Sequence, residues 1–175
     1  MVTFGTIFTD GVATPLAAVY VFYNGPSLPT TVYGEFLSIP ATQRVLGPLS
    51  YLEVTTSIGG MGDHGSGQHF GASALSNTEN LYLDALTHWR NFSDSFSSSM
   101  TLSVLAFTPV LEPQIQAGRA RGGNAMSPPD GGYAAVQFAQ TFVPGVTSMP
   151  ADFEQGFQLL LTQYVVGLSV LLPDL

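Results

Sequence analysis

The sequence predicts an α+β fold, an antiparallel-rich β-sheet with helices packed mainly on one face. Three observations predict it. Runs rich in valine, alanine and aromatics recur as strands. Helical segments carry apolar residues at three- and four-residue spacing on one side only. The resulting order, strand-helix-strand-strand-helix-strand-helix-strand-helix, lacks the strict alternation of a parallel βαβ sheet and contains no internal repeat. A chain of 175 residues suits a single domain over 1–175.

The first strand is read over "LAAVYVFYN", Leu16 to Asn24, ended by the turn Asn24-Gly25-Pro26. A helix over "TTVYGEFLSIP" groups Val32, Phe36, Leu37 and Ile39, and Pro40 ends it by pushing its predecessor out of the helical region. "LSYLEVTTSI", Leu49 to Ile58, reads as a second strand or extended segment and "QHFGASALS", Gln68 to Ser76, as a third strand. Ser76-Asn77-Thr78-Glu79 has the form of a capping box. It opens a helix with Leu81, Ala85, Trp89, Phe92 and Phe96 in one stripe, closed by serines 97–99. "MTLSVLAFTPV" is the fourth strand, stopped at Pro109, and a short helix through "EPQIQAGRARGG" ends at Gly122-Gly123. The fifth strand is Gly132 to Val143. Pro150 starts a last helix with Phe153, Phe157, Leu160, Leu161, Tyr164 and Leu168 on one face.

Composition narrows the function classes. Hydrophobic residues make up 45% and charged residues only 9%, so part of the surface is expected to be covered by something else. Lysine is absent and four arginines oppose twelve acids, for a net charge of −8. That balance disfavours nucleic acid and anionic membrane as partners. With no cysteine, disulfides, thiolate nucleophiles and thiolate metal sites are excluded. The N-terminus has neither the basic start nor the apolar core of a signal peptide. The apolar run Leu159 to Leu172 is interrupted by Thr162, Gln163, Gly167 and Ser169 and is too short to span a bilayer.

The loop "SIGGMGDHGSGQHFG" matches a dinucleotide fingerprint at Gly60, Gly62 and Gly65, with Asp84 about twenty residues on. A working fingerprint opens a helix whose N-terminus receives the pyrophosphate. Here a strand follows instead, so the glycines are read as a connection. Asp63, His64 and His69 have the donors for a metal, but glycine-rich loops collect such residues and helix-borne His88 has no route to them. No metal site is assigned. Ser66 has His64 where a nucleophile elbow needs glycine.

Three stretches taken together resemble a known family. They are "VYVFYNGPSLPTTVYGEFLSIPATQ", the helix bearing "LDALTHW", and "PQIQAGRARGGNAMSPPDGGYAAVQFA". In this order and spacing, over Gly5 to Leu168, they resemble the substrate domain of fungal FAD-linked oxidoreductases of the berberine-bridge-enzyme and 6-hydroxynicotine-oxidase type. The resemblance implies a two-lobed flavoprotein. One lobe carries FAD, and a second, built on an antiparallel sheet, roofs the flavin and shapes the pocket for a small organic substrate. This chain resembles the roof alone, a substrate-domain fragment without the FAD-binding lobe or the C-terminal return segment. The partner implied is that flavin-binding lobe, FAD is the cofactor of the parent enzyme, and the chain by itself is expected to be inactive. The family often places an arginine where Gln68-His69 stands, which puts that arginine's contacts in doubt.

Strand periodicity supplies the candidate site residues. In the fifth strand Ala134, Val136, Phe138 and Phe142 share a face suited to packing under helices. The opposite face presents Tyr133, Ala135, Gln137, Ala139 and Thr141, with small residues and hydrogen-bonding groups that suit a flat ring; a solvent-facing sheet surface is the alternative. Tyr133, Gln137 and Thr141 are the substrate- or flavin-facing candidates, with His69 a candidate proton acceptor that shares a face with Gly71 and Ser73. Asn91-Phe92-Ser93 is an N-glycosylation acceptor triplet whose Asn91 should point away from the buried stripe, consistent with a parent enzyme that is secreted. The rival class is a stand-alone small-molecule-binding or interaction module on the same sheet.

Overall fold

The computed structural model describes all residues except Asn24, Leu46, 59–64, 124–130 and 166–175. Its centre is an all-antiparallel sheet of five strands, β1 (Val2–Thr9), β2 (Val12–Val19), β3 (Gln68–Ser76), β4 (Met100–Val110) and β5 (Tyr133–Phe142), in the order β2-β1-β4-β5-β3. Helices α3 (Glu79–Ser95) and α5 (Ala151–Val165) pack on one face. The fold is therefore α+β, as the sequence predicts. Three further helices, α1 (Thr30–Ser38), α2 (Tyr51–Ile58) and α4 (Glu112–Ala120), connect the strands.

The chain opens with a hairpin that the first-strand reading misses. Asp10 and Gly11 both lie in the left-handed region, at φ 50° and 79°, and Thr9 faces Val12 across them. This is the two-residue turn whose twist matches paired strands, and Asp-Gly is its preferred sequence. The strand read as Leu16 to Asn24 thus begins earlier, at Val12, and ends at Val19. Its Pro15 has a place in the ladder. Tyr20 N–H donates to the Met1 carbonyl at 2.9 Å and Met1 N donates back at 3.1 Å. Counting along the antiparallel ladder, Ala18, Leu16 and Thr14 bond to β1, and Pro15 falls at an outward position where no N–H is needed.

A second correction concerns Leu49 to Ile58, which is helical over Tyr51–Ile58 rather than extended. Its entry is a working capping box. Ser50 N–H and the Ser50 hydroxyl both donate to Glu53 Oε2 at 2.7 Å, and Glu53 N–H donates to Ser50 Oγ at 3.3 Å. These bonds stabilise the ionised Glu53 carboxylate and lower its pKa. At Ser76-Asn77-Thr78-Glu79 the opposite holds: Ser76 stays in β3, Thr78 is the N-cap, and no side chain caps the helix. Asn77 instead ties β3 to β4, donating to the Val110 carbonyl at 3.2 Å and accepting from Tyr82 Oη at 2.6 Å.

The remaining boundaries follow the sequence closely. Gly122 and Gly123 end α4 in a Schellman arrangement, Gly123 N–H donating to Gly118 O at 2.9 Å and Gly122 N–H to Arg119 O at 3.0 Å. Both take positive φ, 104° and 73°, which only glycine adopts without strain. β4 passes through Pro109 to Val110, carrying its register with β5 across the proline.

The core lies between the sheet and the two helices. Ala85, Trp89 and Phe92 of α3 and Phe153, Phe157, Leu160 and Tyr164 of α5 bury against Leu105, Phe107, Val136, Phe138 and Phe142. The aromatic rings meet mostly edge-to-face, the geometry their quadrupoles favour. Trp89 Nε1–H donates to Ser103 Oγ at 3.0 Å, and Ser93 Oγ lies 2.7 Å from the same hydroxyl.

Tyr164, deep in this layer, donates its hydroxyl to the Ala85 carbonyl at 2.6 Å. Burial pushes its phenol pKa up. The unfolded chain releases this proton near pH ~10, whereas the native state keeps it, so the native state binds more protons above that pH. Stability that is complete below pH ~10 should therefore fall as pH rises further, and Tyr164→Phe should flatten that fall. Urea midpoints measured at increasing alkaline pH would show it; parallel decline in both proteins would mean that another group governs the alkaline limb.

Candidate functional site

The sheet face away from α3 and α5 is the candidate site. Because side chains alternate along a strand, the register assigns this face residue by residue. One row crosses the whole sheet as Ala72, Gln137, Ala106, Thr3 and Ala18. The next is Phe70, Ala139, Val104, Gly5 and Leu16, and Gln68, Thr141, Leu102, Ile7 and Thr14 follow. No charged side chain occurs in these three rows. A sheet face meant for water ordinarily alternates in polar and charged groups.

Thr3, Val104 and Ala106 are buried at 7, 4 and 5% exposure, whereas Gln137, Phe70, Ile7 and Leu16 are exposed. Gly5 keeps the floor shallow: a Cβ there would come 2.9 Å from Leu16 Cδ1, so Leu16 leans across it. Thr3 Oγ1, in the same row as Gln137, and Gln140 Nε2, on the helix-packed side, are the two buried side-chain polar atoms without a hydrogen-bond partner among the described residues.

Tyr133, Gln137 and Thr141 all stand on this face, Gln137 exposed and the other two half-buried. Their opposite neighbours Ala134, Val136, Phe138 and Phe142 are buried against the helices, so the two faces of β5 are assigned as periodicity predicts. His69 is not brought to the same site. It shares a face with Gly71 and Ser73, as expected, but that is the helix-packed face. Its ring meets Phe157 and Phe153 edge-on, with centroids 4.3 and 5.4 Å away, and Nδ1–H donates to Gln140 Oε1 at 2.8 Å. His69 thus stands on the opposite face of the sheet from Tyr133, Gln137 and Thr141.

Asn91 is exposed on α3, and Ser93 of the same triplet is buried in the Trp89–Ser103 network. The serine of the acceptor triplet thus has a core role of its own. The glycines at 60 and 62, with Asp63 and His64, lie outside the described residues. The elements flanking them are a helix before, α2, and a strand after, β3, the reverse of the strand-to-helix context a dinucleotide fingerprint requires. Among the described residues no group of three or more His, Cys, Asp or Glu is placed to hold a metal, and no helix is long and apolar enough to cross a membrane.

The residues that sequence reading misses are Thr3, Gly5 and Ile7, because it places no strand before Leu16. The signal was present in Asp10-Gly11, flanked on both sides by strand-forming runs. A scan against protein-family models finds no match, and searches of curated proteins and of solved structures find none either.

Proposed function

We propose that this chain is the substrate-binding lobe of an FAD-dependent oxidoreductase acting on a small organic molecule. The observation that carries the reading is the uncharged face of the sheet away from the helices, where small side chains flank the exposed amide of Gln137. Free of charge, such a face fits an aromatic ring better than bulk water. The described residues offer no helix N-terminus after the glycine-rich connection to hold a dinucleotide pyrophosphate, so FAD would be bound mainly by a separate flavin-binding lobe. Bound there, FAD would supply the hydride acceptor. Gln137 would orient the ring by its amide, Tyr133 would border the site, and the alanines would exclude water.

The purified chain should be colourless and bind FAD no more tightly than ~1 mM. With a flavin-binding lobe of an oxidase of this type, it should elute as a yellow complex on gel filtration. In that complex Gln137→Ala should lower kcat/KM by roughly two- to twelvefold, the loss of one hydrogen bond of about 0.5–1.5 kcal/mol, with stability unchanged. Val136→Ala, on the buried face, should cost about 1 kcal/mol or more in stability and leave kinetics per folded molecule alone. A chain that ignores both FAD and the flavin lobe would instead be a stand-alone module.

A further inference from the structure

We propose that the connection between β2 and β3, residues 20–67 with helices α1 and α2, is a strap that closes over the uncharged face of the sheet. Topology sets its path. β2 and β3 are consecutive strands at opposite edges of the sheet, and the chain leaves β2 at one end of it and enters β3 at the other. Val19 lies in the row of Val2, Phe107, Val136 and Ser73, five positions along from the row of Gln68. Five positions along and four strand spacings across make a diagonal of about 25 Å.

The two sides of the sheet are not equal as places for this segment to lie. Between the sheet and helices α3 and α5 the core is filled, and among the described residues none of 20–67 belongs to it or is buried anywhere. Yet the strap is apolar. Val32, Phe36 and Ile39 recur along one side of α1 and are 63, 47 and 51% exposed, and Tyr51 and Leu52 of α2 are 86 and 75% exposed. Helices of nine and eight residues are marginal in water by themselves and depend on burying such side chains.

The face under the diagonal has the matching character. Ala139 and Gly5, at its centre, are small enough to let a helix approach closely, and Ile7, Leu16 and Phe70 around them leave apolar surface exposed. Charge agrees. α1 and α2 carry one charged residue each, Glu35 and Glu53, and the three rows of the face carry none, so closure brings no like charges together. A separate chain of the same net charge, −8, would be repelled, whereas the strap is covalently held beside the face at high effective concentration. Closed, it covers the middle of the face, and any molecule using that face has to displace it. This closure is a property of the chain by itself, independent of the flavin reading.

The absence of cysteine makes closure measurable by paired substitutions. With a short bismaleimide, Val32→Cys should cross-link within one chain to Ala139→Cys on the face. It should not reach Leu159→Cys, which is exposed on α5 behind the sheet. Alkylation of Ala139→Cys alone should be slow and should speed up about tenfold when Phe36→Ser removes the central apolar contact of α1. Fluorescence of the buried Trp89 should stay native throughout. Ala72→Cys, exposed on the same face, carries both measurements if Ala139→Cys misfolds. Equal cross-linking of Val32→Cys to both partners, cross-linking to neither, or an alkylation rate in the folded protein that ignores Phe36→Ser would overturn the strap.

Discussion

Phe153→Ala should lower the unfolding free energy by about 3–5 kcal/mol, a large share of the stability of a domain this size. Phe153 is fully buried at the start of α5, and its ring lies 4.9 Å from Phe142, 5.2 Å from Phe92 and 5.2 Å from Phe96, centroid to centroid. It therefore joins β5, α3 and α5 at one point. Truncation removes the transfer energy of the ring and leaves a space that three elements would have to close together, which their own packing opposes. Leu159→Ala on the same helix is the control. Leu159 is 62% exposed, so its loss should stay within about 0.5 kcal/mol. Urea unfolding with an unchanged m-value would measure both. If Phe153→Ala cost no more than the control, α5 would not be docked as described.

Gly71→Val should destabilise the protein by about 3 kcal/mol, for the opposite reason of too much volume. A Cβ at Gly71 would lie 2.2 Å from Phe157 Cζ and 2.7 Å from Cε1. The Phe157 ring cannot retreat easily, since it is buried and meets His69 at 4.3 Å and Phe138 at 5.5 Å. Glycine is thus required by the helix above the strand rather than by the strand's own backbone. The two positions should couple: adding Phe157→Leu should recover about 1 kcal/mol relative to the sum of the single changes. Strict additivity would show that the clash is relieved elsewhere.

These cases mark how far the sequence could be read. The period of β5 separated Val136 and Phe138 from Tyr133 and Gln137 correctly, because a strand buried on one face writes its environment into alternate residues. The stripe of Ala85, Trp89 and Phe92 did the same for α3. Tyr51–Ile58 reads as extended because Val54, Thr55 and Thr56 are β-branched, while the Ser50–Glu53 box that makes it helical is a local hydrogen-bond pair. The same box motif at Ser76–Glu79 failed because Ser76 was already committed to pairing with Tyr133.

Period and turn chemistry by themselves determined the α+β class, the helix-facing residues of β5 and α5, and the glycine stop of α4, since each depends on neighbours a few positions away. Only the tertiary structure decided what meets across the sheet. Thr3, Ala106 and Gln137 lie far apart in the chain and share a row because β1, β4 and β5 are adjacent; no spacing along the sequence encodes that order. The same holds for His69, whose alternation put it correctly with Gly71 and Ser73 but could not say that α5 covers that side. Which face is open depends on where the helices settle, and that is set by the total burial the whole chain can achieve.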